Sequence, residues 1–391
     1  MILFKLALRN LVGAGTRTWL NVTVTSITFV LIIFMSGLYQ GMFESNKRLM
    51  IETEIGGGTY WHPAYDPKDP FTLEDSHGVL PTEIAEQVIA GTGMPVLITQ
   101  GSIYPEGRLR PVLIKGIPPE QQVVTLPTGI LSTYAGEAIP VLIGAGMAKT
   151  TKLRVGDTFT ARWRDARGTY DADEAEVVSI MNVENFQVDQ GQIWVPLERL
   201  QRMLEMPDEA TYVVVSRETS LLANPGGWNT MSVDALTEDF RRIMLTGQAS
   251  MSIMYLIFLA LAAMGIFNSQ VLSIFRRRKE IGTLMALGMH RGRVIGLFTT
   301  EGGLHSLLAL ILAALYGGPF LLWTATRGIP LPIDYAEIGM LLDQRMVSVY
   351  PAGLFVGTTL LVTFIVTIVS YLPARKIAKM KPTEAISGRT N

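Results

Sequence analysis

Four stretches of this chain, 19–42, 251–275, 294–323 and 350–372, are each long and apolar enough to cross a bilayer as an α-helix. A hydrocarbon layer about 30 Å thick demands roughly 20 helical residues, and it contains no water to satisfy an open backbone. Four such stretches restrict the fold to a multi-span α-helical membrane protein. Composition agrees, since a mean hydropathy of +0.30 with 17% charged residues over 391 positions is too apolar for an ordinary soluble domain. The first stretch is the most polar, with Asn21, Thr23, Thr25, Ser26 and Thr28, which can bond back onto their own helix or to a neighbour. The third holds Glu301 and His305 near one end.

Orientation follows from Lys and Arg beside the spans, which are retained on the cytoplasmic side. Lys5, Arg9 and Arg17 precede the first span; Arg276, Arg277, Arg278, Lys279, Arg291 and Arg293 lie between the second and third; Arg375, Lys376, Lys379 and Lys381 follow the fourth. Both termini and the 276–293 loop are therefore expected in the cytoplasm. Residues 43–250 and 324–349 are then expected outside, with Trp323, Tyr335 and Tyr350 at the interface. The basic start and apolar run imitate a signal peptide, but the run is too long and lacks a small-residue cleavage site, so a retained helix is expected.

The long segment between the first two spans changes character. Apolar runs at 96–99, 111–114, 141–143 and 212–215, punctuated by Gly and Pro, predict strands of an α+β domain, with helices over 81–90, 144–151 and 197–205. Gly56-Gly57-Gly58 is expected to be a hinge and 223–228 a linker. Residues 158–180 alternate about Arg167-Gly168 and predict a projecting β-hairpin with a polar tip near Asp165 to Asp173. A helix over 232–248 is expected to lead back to the membrane.

The chain has no cysteine, which excludes disulfides, thiolate metal sites and thiol catalysis. With 33 basic and 34 acidic residues it lacks the charge of a nucleic-acid binder. The glycine-rich pieces 56–58 and 144–146 lack the Lys-Ser/Thr of a phosphate loop, so no nucleotide site is expected. His62, Asp66, Asp69, Glu74, Asp75 and His77 match no zinc or calcium spacing, and no serine sits in a nucleophile elbow. No catalytic residue, bound cofactor or metal is expected.

Candidate functional residues lie beside the spans. Residues 280–287 form a short amphipathic helix in which Glu280 fixes register and Ile281, Leu284, Met285 and Leu287 are apolar, suited to the groove of a partner protein or to the headgroup layer. Gly282 permits close approach and Gly288 a helix stop. Glu301 and His305 stand one turn apart and share a face, where they can pair or reach a neighbouring helix. Pro373 is expected to kink or end the fourth helix, after which Arg375, Lys376 and Lys379 meet lipid phosphates. Pro382 to Ile386, with Glu384, is expected to start a last short helix.

Three of these stretches together resemble the MacB/FtsX/LolE-type permeases of ABC transporters. Residues 6–11 with 17–20 look like the family's entry helix (1–18 here), 278–288 through Glu301 like its cytoplasmic loop and third-helix start, and 373–378 with 381–386 like its C-terminal signature. The external segments 144–157 and 177–200 come nearest to the lipoprotein-releasing LolC/LolE branch. The resemblance implies four transmembrane helices with a large extracytoplasmic domain between the first two. It also implies an inner-membrane permease that dimerises with a second copy or a paralogue. A cytoplasmic ATPase dimer, holding ATP and magnesium, would contact residues 280–288, and the motion would be passed to the external domain by mechanotransmission. A periplasmic lipoprotein carrier or adaptor is a further implied partner, although Arg164 to Thr169 differ from the Pro- and Met-containing tip of the LolC hook. Lipoprotein release, small-molecule or peptide efflux, and FtsX-like regulation of a cell-wall hydrolase are the activities the resemblance offers.

Overall fold

A computed structural model describes residues 16–181, 191–330 and 345–378. Helix α1 (Thr16–Met50) runs directly into one π-helical turn, Ile51–Ile55. The chain continues through β1 (Gly58–Trp61), β2 (Gly78–Val79), α2 (Thr82–Ile89), β3 (Gly93–Tyr104), β4 (Arg110–Ile117), β5 (Ile139–Gly144) and α3 (Ala145–Thr151). Next come β6 (Thr158–Arg164), β7 (Tyr170–Met181), β8 (Gln192–Pro196), α4 (Leu197–Leu204), β9 (Glu209–Ala210), β10 (Tyr212–Val215) and β11 (Asn229–Ser232). Helices α5 (Val233–Leu236), α6 (Glu238–Arg276), α7 (Arg278–Ala286) and α8 (Arg291–Arg327) follow, then β12 (Ile329–Pro330), β13 (Arg345–Met346) and α9 (Ala352–Ala378). The described residues divide into two units, one of 16–43, 244–330 and 345–378, the other drawn from 44–243.

The first unit is a helical bundle. Four helices of the chain are long and apolar enough to cross a membrane, and a β-rich domain is inserted between the first and second of them. Its core takes Val22, Phe29 and Ile32 from α1, Leu259 and Ile266 from α6, Ala309 and Ala313 from α8, and Val362 and Val366 from α9. The hydroxyls of α1 behave as its composition suggests: Ser26 Oγ donates to the Thr23 carbonyl at 2.8 Å and Thr28 Oγ1 to that of Val24 at 3.0 Å. Ser36 Oγ crosses to the Tyr255 hydroxyl of α6 at 2.7 Å. Small residues let the backbones close up, with a Cβ on Gly302 falling 2.0 Å from Ser370 Oγ and one on Gly317 2.4 Å from Val30 Cγ2.

The second unit is built on a nine-stranded sheet in the order β11-β1-β10-β3-β4-β8-β5-β7-β6. Strand β6 also pairs with β3, Gly101 opposite Trp163 through Tyr104 opposite Thr160, so the ring β3-β4-β8-β5-β7-β6 closes into a barrel. One apolar cluster draws on all six of its strands, including Leu97, Ile114, Val141, Trp163, Val177 and Val195. Alternate residues of the same strands, Ile98, Leu142 and Trp194, enter a second cluster with Val96 and Val214. Strands buried on both faces read as continuous apolar runs, which is why 96–99 and 141–143 do not alternate in polarity.

Three expectations are corrected. The hairpin of β6 and β7 does not project, because β6 is held along β3; its polar tip is the short turn 165–169, where Asp165 Oδ1 accepts from the amides of Arg167 at 2.9 Å and Thr169 at 2.8 Å and Gly168 takes φ +81°. Residues 223–228 are not a free linker, since Trp228 is buried among Tyr60, Ile84 and Val213. The glycines at 56–58 form a packed turn rather than an open hinge, with a Cβ on Gly57 falling 2.5 Å from the Ser216 carbonyl oxygen. Helix formation after Ser232 begins as expected, with its hydroxyl capping Ala235 N–H at 3.3 Å, but is interrupted at Thr237 before α6.

Candidate functional site

The predicted short helix between the second and third spans is present as α7, set off from α6 at Arg277, whose φ of −92° and ψ of 12° leave the helical region. Its end is closed by Gly288, which takes φ +96° and donates its N–H to the Met285 carbonyl at 3.1 Å. Met285 packs inward with Met289 and Ile295 against Ile274, Val294, Phe298 and Ala374. Gly282 is buried as well, whereas Leu287 is 80% exposed. The apolar residues therefore divide, Met285 fastening α7 to the bundle and Leu287 facing away from it. The side chains of Glu280, Ile281 and Leu284 lie outside the described residues, as do the entry helix before Thr16, the side chain of Lys376, and Pro382 and Glu384.

Glu301 and His305 lie on α8 and are both buried. They do not pair through the carboxylate: His305 Nδ1–H donates to the Glu301 backbone carbonyl at 2.8 Å. The carboxylate, on a residue only 2% exposed, instead has its Oε2 3.7 Å from Nη1 of Arg277. The break between α6 and α7 thus carries the counter-charge of the third span. Sequence reading counted Arg277 among the topology-setting basic residues and missed this role; the signal was a lone carboxylate inside an apolar span, which demands a cation from elsewhere in the bundle. One turn further, Ser306 Oγ bonds to Thr363 Oγ1 of α9 at 3.3 Å. Pro373 is buried within α9 without ending it, for the helix runs on to Ala378 and leaves Arg375 exposed.

In the second unit, a cleft of about 780 Å³ is lined by residues of β3, β4, β6 and the 165–168 turn, among them Thr99, Gln100, Tyr104 and Arg162, with Tyr170 of β7. Arg164 clamps Glu74 through two bonds of 2.7 and 2.9 Å, Arg167 pairs with Glu205 at 2.6 Å, and Arg162 lies 4.3 Å over the Tyr170 ring. The arginines at the turn are thus engaged with the domain itself. The His- and Asp-rich loop is likewise structural: Asp66 and Asp69 accept from the amides of Lys68 and Phe71, and His77 pairs with Glu209. Among the described residues, no three His, Asp or Glu gather as metal ligands would.

Residues 252–382, which hold α7, Glu301 and Pro373, match the FtsX-like permease C-terminal family. The chain is 30% identical over 151 residues to an uncharacterized ABC transporter permease of Methanocaldococcus jannaschii, covering 37% of this chain and 33% of that one. It is 26% identical over 224 residues to the macrolide export ATP-binding/permease protein MacB of Sodalis glossinidius, covering 53% of this chain and 32% of that one. To the lipoprotein-releasing system transmembrane protein LolC of Xylella fastidiosa it is 22% identical over 309 residues, 71% of this chain and 73% of LolC. It thus spans about a third of the first two relatives and most of the third.

Proposed function

We propose, from a membrane chain that carries an FtsX-like permease domain and is related to ABC permeases of the MacB and LolC type, that it is the permease subunit of an ABC transporter. In this reading an ATPase on the cytoplasmic face receives α7, and nucleotide-driven closure is delivered as motion through the spans to the barrel domain outside the inner membrane. A second copy or a paralogue completes the permease. The cargo is a lipoprotein or another hydrophobic molecule drawn from the membrane; the relation to LolC, which extends over most of both chains, favours the lipoprotein.

The observation that carries this reading is the construction of α7. Met285 ties it to the core that also holds Ile274, Val294 and Ala374, so a push on α7 is felt by α6, α8 and α9 together. Leu287 meanwhile offers an apolar anchor of the kind that fills a partner's groove. Glu280, Ile281 and Leu284 on the same helix are assigned to that contact, and Pro373, Arg375, Lys376, Pro382 and Glu384 to its C-terminal border and the lipid headgroups. No cofactor is assigned to this chain; ATP and magnesium belong to the partner.

The test is reconstitution with the candidate ATPase in liposomes that contain an acylated lipoprotein. ATP-dependent loss of the lipoprotein from the membrane is expected, and Leu287→Glu is expected to abolish ATPase co-purification with the fold retained. Co-purification unaffected by that change overturns the α7 assignment. The match to the FtsX-like family supports one alternative, regulation of a cell-wall hydrolase, which predicts stimulation of an amidase with no lipoprotein lost.

A further inference from the structure

The barrel unit contains an ion pair between a buried lysine and a half-buried glutamate to which the proposed function gives no role. Helix α1 passes into its π-helical turn without a cap, and Gly56 closes the turn at φ +58° with its N–H on the Ile51 carbonyl at 2.8 Å. From that turn Glu54 accepts a bond from Lys115 Nζ of β4 at 3.4 Å, and Lys115 is only 6% exposed. The same ammonium stands 4.9 Å from the centroid of the buried Trp194 ring of β8. Tyr65 and Tyr212, stacked with centroids 6.0 Å apart, complete the surroundings. Burial pushes both phenols above their ordinary range, and Glu54 adds to the rise for each. The turn is held at a second point by Thr125 N–H, which donates to the Glu52 carbonyl at 2.7 Å.

A lysine in such a place is not what a core needs for stability. Desolvating the two charges costs as much as or more than their attraction returns, and an apolar side chain of the same length would pack on Trp194 without that cost. What an ion pair adds is direction, because only one rotation of the helix end brings a carboxylate to the buried ammonium. π-Helical turns also widen the helix and re-aim the residues they carry, and they recur at working positions in proteins.

We propose that Glu54 and Lys115 form a register lock. The pair fixes the rotational and axial position of the end of α1 against β4 and β8, so that movement of this helix is passed into the barrel instead of being absorbed in the turn. The source of that movement rests on the permease reading above; the lock itself does not.

The absence of native cysteine makes the test direct. Spin labels are placed at Arg48→Cys and Glu120→Cys, both exposed and both in the barrel unit, and the distance distribution is measured by pulsed electron resonance on the full chain in lipid nanodiscs. The native pair is expected to give one narrow distance. Lys115→Met, which keeps the contact with Trp194, and Glu54→Gln are each expected to broaden or split it, and the swap Glu54→Lys with Lys115→Glu to restore the single distance. A distribution that stays narrow in Lys115→Met, or in Glu54→Gln should the first variant fail to fold, overturns the proposal even if stability falls. Leu287→Glu is expected to leave the distribution unchanged, so failure of the ATPase reading and failure of the lock are told apart.

Discussion

Gly302 is one of the points at which the helical bundle has no room for a side chain. A methyl group on its Cα would stand 2.0 Å from Ser370 Oγ and 2.3 Å from Ser370 Cβ, where carbon atoms rest at about 3.5–4.0 Å. Rotating the hydroxyl does not relieve this, because the Cβ is fixed to the backbone of α9. Helices α8 and α9 must therefore part by roughly 1.5 Å along this seam, the distance needed to restore ordinary contact. Overpacking of this kind costs about 1–3 kcal/mol. Ser370 is fully buried and its Oγ meets no hydrogen-bond partner among the described residues, so Ser370→Gly removes both clashing atoms without breaking a bond and costs about 1 kcal/mol in helix propensity. We predict that Gly302→Ala lowers the unfolding midpoint of the full chain in detergent. Added to Ser370→Gly it should cost much less than it does alone, a favourable coupling of about 1 kcal/mol or more in the double-mutant cycle. An unchanged midpoint for Gly302→Ala, or strictly additive effects, would refute the close seam.

Three shorter predictions follow from other contacts. Glu301→Ala removes the carboxylate that the partly exposed Arg277 guanidinium faces at 3.7 Å and is expected to destabilise the bundle by about 1–3 kcal/mol, with Glu301→Gln less severe; equal melting of the alanine variant and the parent would count against the pair. Burial, with His77 nearby, holds the His62 imidazole below its ordinary value against the opposing pull of Glu209. The unfolded chain therefore binds a proton that the folded one resists, and stability is expected to fall as pH drops below about 6.5. A midpoint-against-pH curve should flatten in His62→Gln, and identical curves would reject the assignment. Trp228→Ala is expected to cost about 3–5 kcal/mol, as for a core aromatic, whereas a true linker residue would lose almost nothing in a denaturant titration.

Local features of this chain were legible from sequence because they are written in local pattern. The spans follow from length and apolarity, and the strands at 96–99, 141–143 and 212–215 from β-branched runs. The stop at Gly288 follows from the glycine itself. Features joining distant positions were not legible. Nothing near Thr160 announces that it lies opposite Tyr104, so the barrel was read as a projecting hairpin. The partner of Glu301 proved to be Arg277 rather than His305 because helix periodicity places residues on a face but does not say which neighbouring element crosses it. Lys115 did leave a trace, a single charge inside the apolar run of β4, which in a strand buried on both faces requires a carboxylate elsewhere. Proline at 373 does not end the helix, which runs on to Ala378: it deletes the single bond to the Val369 carbonyl, and the turns on either side keep theirs.

The pairing of β6 back onto β3 has a mechanical consequence. In an open sheet the outermost strand can be peeled away one hydrogen bond at a time, but a strand in a closed hoop is gripped along both flanks, and pulling on it loads two ladders at once. A domain with no covalent cross-links thereby gains stiffness against shear from topology alone. A tug that enters at β4 is therefore carried by the ladders on both of its flanks, to β3 and to β8, and through them by the rest of the hoop.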